Sequence, residues 1–341
     1  MNYPFVSVII PCRNEEAFIE RLIQNLQEQD YPKNQWEVFI IDGRSDDSTT
    51  KLIQDHLREY TWLKLLNNEH KIVPYALNMA IQQSKGEIII RMDAHSIYPA
   101  NYISELVKHL IELNADNVGG VWLTEPGNTT LMAKAIAIAI SNKFGIGNAD
   151  YRTGSKNIKQ VDTVPFGCYP KKVFEKIGLF DTELVRTEDD EFNARLVKNG
   201  GKIFLIPSIE IRYFAREKLS KISKMFYQYA LFKPLANKKI GHPSTLRQLV
   251  PLCFLITLLT SALLGILFTN WDWIFFIVFG TYLLADILVS LFLAVKYNIA
   301  LLIYLAIIFP VIHFSYAFGY AWGIWNFSIR KKHVTNVELS R

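Results

Sequence analysis

The sequence has few cysteines and few charged residues. Three cysteines occur in 341 residues, and none of them forms a CxxC pair. This argues against a disulfide framework and a structural zinc site, and is typical of a reducing compartment. Charged residues make up only 20% of the chain and hydrophobic residues 50%, whereas a wholly soluble protein of this size normally carries more charge. The composition also excludes disordered, collagen-like and coiled-coil classes.

Other patterns are missing as well. No G-x-G-x-x-G follows the first apolar run, Val6–Pro11, which disfavours a Rossmann dehydrogenase. The net charge of +5 is mild and no basic stripe runs along the whole chain, so a nucleic-acid partner is not expected. The first residues lack a basic segment followed by a long apolar run. We therefore expect no signal peptide and a front domain in the cytoplasm.

The front part of the chain alternates short apolar runs with amphipathic segments. The runs at Val6–Pro11, Glu37–Asp42 and Gly86–Asp93 predict buried strands. Between them, apolar residues recur at helical spacing, as in Ala17–Gln29. Alternating strands and helices predict right-handed βαβ units and an α/β fold with a Rossmann-like, mostly parallel sheet. The last strand is predicted at Lys202–Ile206, and the polar stretch Gly145–Lys159 is predicted to be a mobile loop near the site.

Two acids follow predicted strands directly. Asp42 ends one strand and precedes the polar segment Gly43–Thr49, and Asp93 ends another strand. In open α/β sheets, ligands bind in the crevice outside the carboxyl ends of the strands. Both carboxylates are therefore expected at one edge of the sheet, where a nucleotide and its metal would lie. The Gly, Ser and Asp residues after Asp42 suit a phosphate-binding turn and equally an ordinary βα turn.

Asp93 is followed by a histidine two residues later. Asp93 and His95 can reach the same point if the chain bends between them. A carboxylate and an imidazole together suit Mn²⁺ well and Mg²⁺ somewhat less. The same triplet also suits a capping aspartate beside a surface histidine, and the residues alone leave both interpretations open.

Four consecutive acids begin a predicted helix: Glu188, Asp189, Asp190 and Glu191. Acids are favoured at a helix N-terminus by the helix dipole, which offers a purely structural interpretation. Four like charges also repel one another and raise at least one pKa, as a general base near neutral pH requires. Arg195, about two helical turns after Glu188, can orient an acid or meet a phosphate.

Taken in order, these three motifs resemble those of the GT-A glycosyltransferases of family 2, together with the strand Val6–Pro11 and the segment Arg13–Glu15. The resemblance extends over roughly residues 4–207, and the combination of motifs is specific although each one is common by itself. It implies a GT-A catalytic domain, a UDP-sugar donor, and a divalent metal, Mn²⁺ or Mg²⁺, at the donor diphosphate.

Within that family, the sequence is similar to the succinoglycan-type glucosyltransferases, which build bacterial exopolysaccharide on a lipid carrier. The residues that carry this likeness are Pro74–Asn78, Arg91–His95 and Tyr98-Pro99. It implies transfer of a hexose, glucose by this likeness, to a saccharide linked to polyprenyl diphosphate. The Q-x-x-R-W motif of processive members is absent, since only Gln228-Tyr229 stands in the matching region. One sugar is therefore expected per acceptor.

The resemblance implies roles for single residues. Asp189 matches the catalytic base, with Glu188 beside it and Arg195 further along the helix. Asp93 and His95 take the place of the metal-binding D-x-D pair, with histidine in place of the second aspartate. The residues expected to bind the nucleotide sugar are Pro11, Asn14, Glu15, Asp42, Asn78, Asp93 and Gly167. One base suffices for a single displacement with inversion, whereas a glycosidase needs a second carboxylate as acid.

The composition changes after residue 211. Nine basic residues face one acid, Glu217, and they alternate with aromatic and aliphatic side chains. The basic residues are Arg212, Arg216, Lys218, Lys221, Lys224, Lys233, Lys238, Lys239 and Arg247. This pattern predicts an amphipathic helix on an anionic membrane surface, where each cation contributes about 1 kcal/mol. The alternative is an ordinary solvated helix.

Three apolar segments follow, at Leu249–Phe268, Trp273–Val295 and Ile299–Phe327. Each is long enough to cross a bilayer, and we expect three crossings with the front domain on the cytoplasmic side. A re-entrant pair split at Pro310 is the alternative. The second segment contains Asp286, which is either functional or paired with a serine, tyrosine or histidine inside the bundle.

These observations predict four regions. They are a GT-A domain at 1–211, a basic interfacial segment at 212–247, a transmembrane region at 248–328 and a basic tail at 329–341. The expected protein is a multi-pass enzyme of the bacterial inner membrane, with a polysaccharide assembly complex as a further partner. Two other classes are kept as alternatives: a nucleotide-regulated flippase or channel component, and a non-catalytic scaffold.

Overall fold

The structure, a computed structural model, describes residues 3–330. These residues divide into two units. The first unit contains the residues up to Leu123 together with Asp150–Tyr213. The second unit contains Thr124–Ala149 together with the residues from Phe214 onward. After Arg330, the predicted basic tail lies outside the residues that the structure describes.

The first unit is built on a mixed β-sheet. Within the described residues its strands are β1 Val6–Cys12, β2 Trp36–Asp42, β3 Leu63–Asn67, β4 Ile88–Arg91, β5 Ser96–Ile97, β6 Asn117–Glu125, β7 Lys159–Gln160, β8 Cys168–Pro170 and β9 Ile203–Phe214. Their order is β3-β2-β1-β4-β8-β6-β9-β5, and β7 pairs with β9. The strands β3, β2, β1 and β4 are parallel. Strand β8 joins β4 and β6 in antiparallel fashion, as β5 and β7 join β9.

The helices between and after these strands are α1 Glu16–Gln27, α2 Thr49–His56, α3 Val73–Gln83, α4 Tyr102–Glu112, α5 Leu131–Ala139, α6 Lys143–Ile146, α7 Asp150–Thr153, α8 Lys172–Ile177, α9 Glu188–Lys198, α10 Leu219–Ile240, α11 Val250–Leu267, α12 Asp272–Tyr297 and α13 Leu302–Ile324. A π-helical turn, Trp325–Ile329, follows α13. The predicted α/β fold with a Rossmann-like sheet is confirmed.

The core of the first unit lies on both faces of the sheet. Every residue of β1 and β2 is buried, which explains why these strands are continuous apolar runs in the sequence. Val8 and Ile10 share one apolar cluster with residues of α1 and α4. Ile9 and Ile41 share the other cluster with residues of α3 and α9. The parallel strands are thus covered by helices on each side.

The end of the sheet differs from the prediction. The last strand was expected to end at Ile206, but β9 continues through Pro207 to Phe214. In its second half, Ile209, Ile211 and Tyr213 are buried while the residues between them are exposed or half-buried. This alternation is typical of a strand with one covered face. The prediction was wrong because it took the proline and the polar residues that follow as a strand end.

In the described part of the second unit, three helices are long and apolar enough to span a membrane. They lie at Leu246–Leu267, Asp272–Tyr297 and Ile299–Ile329, with mean hydropathies of 2.4, 2.3 and 2.2. The last of them runs through Pro310 without a break, so the re-entrant alternative is not found. Residues 124–149, including α5 and α6, belong to this unit, whereas the predicted boundary at 211 assigns them to the front domain.

The acid inside the second apolar helix is buried. Asp286 is 2% exposed and Ser290, one turn further along α12, is 0% exposed. Tyr282, one turn before Asp286, has its hydroxyl 2.9 Å from Nδ1 of His313, and Nε2 of that histidine lies 2.7 Å from the carbonyl oxygen of Phe144. The serine, tyrosine and histidine named as alternative partners therefore lie on helices of the same unit.

Candidate active site

The carboxylate of Asp42 is held firmly at the end of β2. It is 4% exposed. Its oxygens accept hydrogen bonds from the main-chain N–H of Ser45 at 3.1 Å, from the Ser45 hydroxyl at 2.5 Å and from the Thr50 hydroxyl at 3.0 Å. Two donors from the turn at Ser45 and one from the first turn of α2 fix the orientation of this carboxylate, as a recognition group requires.

The loop after β1 is joined to the same turn. The main-chain N–H of Asn14 donates to the hydroxyl of Ser45 at 2.8 Å, and its side-chain oxygen accepts from the N–H of Asp46 at 3.0 Å. The N–H of Glu15 donates to the hydroxyl of Thr49 at 2.8 Å. Asn14 and Glu15 thus lie beside the turn that holds the carboxylate of the β2 end.

Pro11, the other residue predicted near the nucleotide, lies within β1. It stands opposite Ile41 of β2 in the register and is buried. Its ring therefore belongs to the strand rather than to the loop that follows. Its role at a nucleotide stays a prediction.

Asp93, His95 and Glu15 form one cluster. Nδ1 of His95 lies 3.3 Å from Oδ1 of Asp93 and 3.5 Å from Oε1 of Glu15. The side chains of Asp93 and His95 are 26% and 21% exposed. The main-chain N–H of Asp93 donates to the Tyr98 hydroxyl at 2.5 Å, which holds the chain bent at this point. The predicted convergence of Asp93 and His95 is found.

Among residues 3–330, no group of three or more His, Cys, Asp or Glu side chains forms a complete metal site. An ion at a nucleoside diphosphate does not need one, because phosphate oxygens and waters supply further ligands. The adjacent carboxylate of Asp93 and imidazole of His95 offer an oxygen and a nitrogen donor, a set that suits Mn²⁺ better than Mg²⁺. The residues fit a cation shared with a diphosphate, and its binding stays a prediction.

An ion pair links this cluster to the run of acids at the start of α9. Nη2 of Arg91 lies 3.2 Å from Oε1 of Glu188. Arg91 is also within electrostatic reach of Asp189 and Asp93. Of the predicted residues, Glu188 thus contacts this guanidinium, and Asp93 and Asp189 lie near enough for their charges to act on it.

Glu188 is 6% exposed. Burial is the main cause that raises the pKa of its carboxyl to about 7, while the guanidinium of Arg91 opposes this rise and the charge of Asp189 adds to it. The sequence predicted a raised pKa in this run from repulsion between like charges. The raised pKa is found, but exclusion of water contributes more than repulsion.

The Gly167 loop lies beside Arg91. The carbonyl oxygen of Gly167 accepts the main-chain N–H of Arg91 at 3.0 Å. Gly167 has a φ of 51°, and a Cβ there would lie 2.3 Å from the hydroxyl oxygen of Tyr169. Only glycine fits this position, because both the left-handed backbone and the space around it exclude a side chain.

Two predicted site residues use their side chains to hold main chain. The Asn78 amide donates to the carbonyl of Phe180 at 2.8 Å and accepts from its N–H at 2.9 Å. Arg195 pairs with Glu191 at 2.8 Å and donates to the carbonyl of Leu179 at 2.8 Å. These bonds join helices to the loop before α9. The roles of Asn78 at the donor and of Arg195 in catalysis stay predictions.

An aromatic stack lies next to His95. The rings of Trp122 and Tyr213 are parallel with centroids 4.1 Å apart, and the guanidinium of Arg152 lies 4.2 Å from the centroid of Trp122. The Tyr213 ring centroid is 6.3 Å from that of His95. These contacts hold the Trp122 ring by packing.

Arg91 and Tyr98 shape this site, although the sequence alone predicted no role for either. An arginine at the end of a buried strand needs an acidic partner, so the sequence carried a signal for Arg91. No local pattern indicated that the partner would be Glu188. The contact of Tyr213 with His95 was not predicted, because the last strand was expected to end before Tyr213.

A family model and several known proteins are similar to this chain. The model of the family "Glycosyl transferase family 2" matches residues 7–178. A dolichyl N-acetyl-alpha-D-glucosaminyl phosphate 3-beta-D-2,3-diacetamido-2,3-dideoxy-beta-D-glucuronosyltransferase of Methanococcus voltae is 28% identical over 328 residues, 94% of this chain and 97% of the relative. Succinoglycan biosynthesis protein ExoA of Rhizobium meliloti is 30% identical over 266 residues, 77% of this chain and 78% of the relative.

A solved structure supports the fold. The mannosyltransferase PcManGT of Pyrobaculum calidifontis, in complex with GDP-Man and Mn²⁺, superposes with a TM-score of 0.59 at 19% identity. The superposition covers 90% of this chain and 87% of that chain.

Proposed function

This chain belongs to family 2 of the GT-A glycosyltransferases, and on that premise we propose that it is a membrane-anchored, inverting hexosyltransferase. The proposed donor is a UDP-sugar, UDP-glucose by the succinoglycan-type resemblance. The proposed acceptor is a saccharide on a polyprenyl diphosphate. The observation that carries the proposal is the ion pair of Arg91 with Glu188 at 3.2 Å, which joins the strand end before Asp93 to the helix that carries Asp189.

The arrangement suits a single displacement. The acceptor hydroxyl oxygen bonds to the anomeric carbon, the bond from that carbon to the diphosphate breaks, and its electron pair leaves with the nucleoside diphosphate. Asp189 takes the proton of the acceptor hydroxyl as general base. One displacement inverts the anomeric centre. A divalent cation bound at Asp93 and His95 would stabilise the charge on the leaving group.

The other residues of the site have supporting roles in this proposal. The fixed carboxylate of Asp42 accepts from the donor's base, and the loop at Asn14 and Glu15 lies against the ribose. Glu188 and Arg91 hold the first turn of α9 beside the strand end that precedes Asp93. Gly167 is proposed to line the cleft between donor and acceptor, as the family resemblance implies, and its loop is fixed by the main-chain bond to Arg91.

The acceptor is proposed to be lipid-linked for two reasons. The names of the two relatives describe a dolichyl phosphate saccharide and succinoglycan biosynthesis. This chain also carries three helices able to span a membrane, after a basic helix. We place the enzyme in a bacterial inner membrane with the catalytic domain on the cytoplasmic side, and infer one sugar per acceptor. We also propose that the GT-A domain, the basic interfacial segment, the transmembrane region and the basic tail have the limits predicted from the sequence.

The test is a donor panel with the full chain in nanodiscs. UDP-glucose, UDP-galactose, UDP-N-acetylglucosamine and GDP-mannose are each supplied with a polyprenyl-diphosphate-linked sugar, with and without a chelator. The expected result is a mass gain of one hexose from a UDP-sugar, abolished by the chelator and restored by Mn²⁺. Transfer from GDP-mannose alone would contradict the donor assignment. Nucleotide-dependent lipid movement without sugar transfer would favour the flippase alternative. Binding of a partner protein without sugar transfer would favour the scaffold alternative.

A further inference from the structure

Two helices of the second unit, α10 and α13, enclose a groove. Their backbones touch where glycines allow it: a Cβ on Gly319 would lie 2.3 Å from the carbonyl oxygen of Tyr227, and a Cβ on Gly323 would lie 2.3 Å from that of Leu231. Glycines four residues apart permit such close packing of helices. Toward the start of α10, the two helices instead enclose a groove of about 600 Å³ that is open on one side.

The groove has two chemically different walls. The α10 wall is the more polar of the two, and the α13 wall is mainly apolar. The lining residues are Ser220, Ser223, Lys224 and Tyr227 on α10, and Pro310, Val311, Phe314, Ser315 and Phe318 on α13. The hydroxyls of Ser223 and Ser315 lie 2.8 Å apart and bridge the helices beside it. Phe318 is 54% exposed, so the apolar wall continues to the outer surface of the helix pair.

These walls indicate the chemistry of an occupant. An ammonium group and a hydroxyl, here those of Lys224 and Ser220, together bind phosphate oxygens, and an apolar aromatic wall packs against a hydrocarbon chain by van der Waals contact. Helix α10 has five lysines and no acidic residue, so the potential at this wall favours an anion. The volume lies within the range of small-molecule sites, about 300–1,000 Å³. The occupant that fits is an amphiphile with an anionic phosphate head and an apolar chain.

We propose that this groove binds the acceptor's lipid carrier, with its phosphate at Lys224 and the first part of its hydrocarbon chain along Val311, Phe314 and Phe318. The inference rests on the proposed function, from which it takes the chemistry of the acceptor. It assigns acceptor binding to the second unit, by residues distinct from those that hold the donor. Lys224 acts here by binding the lipid phosphate and not in the chemical step.

The first test is photolabelling, which does not require sugar transfer. The probe is a polyprenyl diphosphate with a diazirine on its second isoprene unit, added to the full chain in phosphatidylcholine nanodiscs. We expect label in peptides that contain residues 310–318 or 220–227, competed by unlabelled polyprenyl diphosphate and not by phosphatidylglycerol. Label in other peptides would overturn the proposal. Equal competition by phosphatidylglycerol would also overturn it, because the groove would then bind bulk anionic lipid.

The second test is kinetic and uses matched lysines on one helix face. Lys224→Gln is expected to raise the KM for the lipid-linked acceptor about fivefold, because it removes one cation from a phosphate near the membrane surface. The KM for the UDP-sugar should not change. Lys221→Gln is the control, because Lys221 is equally exposed on α10 but does not line the groove. Equal effects of the two substitutions would overturn the proposal, since they would report general membrane charge.

A groove-filling variant completes the test. Val311→Trp is expected to lower transfer to the lipid-linked acceptor at least about tenfold while UDP binding, measured by calorimetry, is retained. Ile303→Trp is its control on the same helix, at a side chain that is 67% exposed. Unchanged transfer by Val311→Trp would overturn the proposal. If the unmodified enzyme transfers no sugar at all, the proposed function fails. The photolabelling would then still show whether the groove binds polyprenyl diphosphate.

Discussion

The guanidinium of Arg91 lies 3.2 Å from the carboxylate of Glu188. Arg91 ends β4 and Glu188 begins α9, so this ion pair joins the segment of Asp93 and His95 to the helix that carries Asp189. Both side chains are largely buried, at 14% and 8% exposure. Removing one partner of a buried pair leaves a costly unpaired charge. The pair therefore fixes how far the two groups of acids can move apart.

Asp189→Asn is expected to lower sugar transfer by about 10²- to 10⁴-fold, because the amide cannot take the acceptor proton. UDP-sugar binding, measured by calorimetry, should be retained. Asp190→Asn is the matched control, since Asp190 stands next to Asp189 in the same turn of α9, and it should keep most of the activity. Full transfer by Asp189→Asn would refute its assignment as the base.

His95→Asp would restore two carboxylates at the proposed metal site. Imidazole favours Mn²⁺, whereas oxygen ligands suit Mg²⁺. The ratio of the activity with Mn²⁺ to that with Mg²⁺ should therefore fall in this variant, as measured by titrating each metal against the transfer rate. His109→Asn, on α4 beside Glu105, should leave the ratio unchanged. An unaltered ratio in His95→Asp would contradict metal binding by the histidine.

Glu188 makes stability depend on pH. Because the folded-state pKa is about 7 against an ordinary 4.5, the folded protein holds this proton more tightly than the unfolded chain. The contribution is complete below about pH 4.5 and is lost as the pH rises through 7, on the order of 3 kcal/mol in total. The Tm of the parent protein should fall from pH 5 to pH 8, and that of Glu188→Gln should fall less.

The control for this pH effect is Asp55→Asn, at an exposed position of α2. Its Tm should follow the parent curve throughout. Parallel Tm curves for the parent and Glu188→Gln would mean that Glu188 does not hold its proton more tightly in the folded state.

Asn78→Ala removes both hydrogen bonds between α3 and the main chain of Phe180. We expect a loss of about 1–3 kcal/mol in the free energy of unfolding, because the two main-chain groups lose their partner. Thermal unfolding measures this loss. Asn101→Ala is the control, since the Asn101 side chain does not cap α4 by a hydrogen bond. Unchanged stability with a raised KM for the donor would instead support the role that the family resemblance implies.

Gly319→Ala should weaken the packing of α10 on α13. The added Cβ would lie 2.3 Å from the carbonyl oxygen of Tyr227, a backbone atom that cannot move cheaply, and overpacking of this kind costs about 1–3 kcal/mol. Gly280→Ala is the matched control, because nothing lies within 4 Å of a Cβ there. Unfolding in detergent should show a lower Tm for the first variant alone. Equal Tm values would mean that the helices do not depend on this contact.

Much of the first unit could be predicted from local pattern. The strands β1 and β2 were recognised as continuous apolar runs because both faces of the sheet are covered. The placement of Asp42 and Asp93 at one sheet edge followed from the topology of parallel strands. The prediction missed the second half of β9, because Pro207 and an alternating polar pattern resemble a strand end.

The sequence by itself determined which segments are buried, which are apolar enough to span a membrane, and which acids follow strands, since each of these depends on local periodicity. Only the tertiary structure decided that Arg91 pairs with Glu188 and that the Asn78 amide forms hydrogen bonds with the main chain of Phe180. It also decided that α13 packs on α10 at Gly319. These partners are far apart in the chain. Their pairing depends on how whole faces dock, and residue spacing does not encode that geometry.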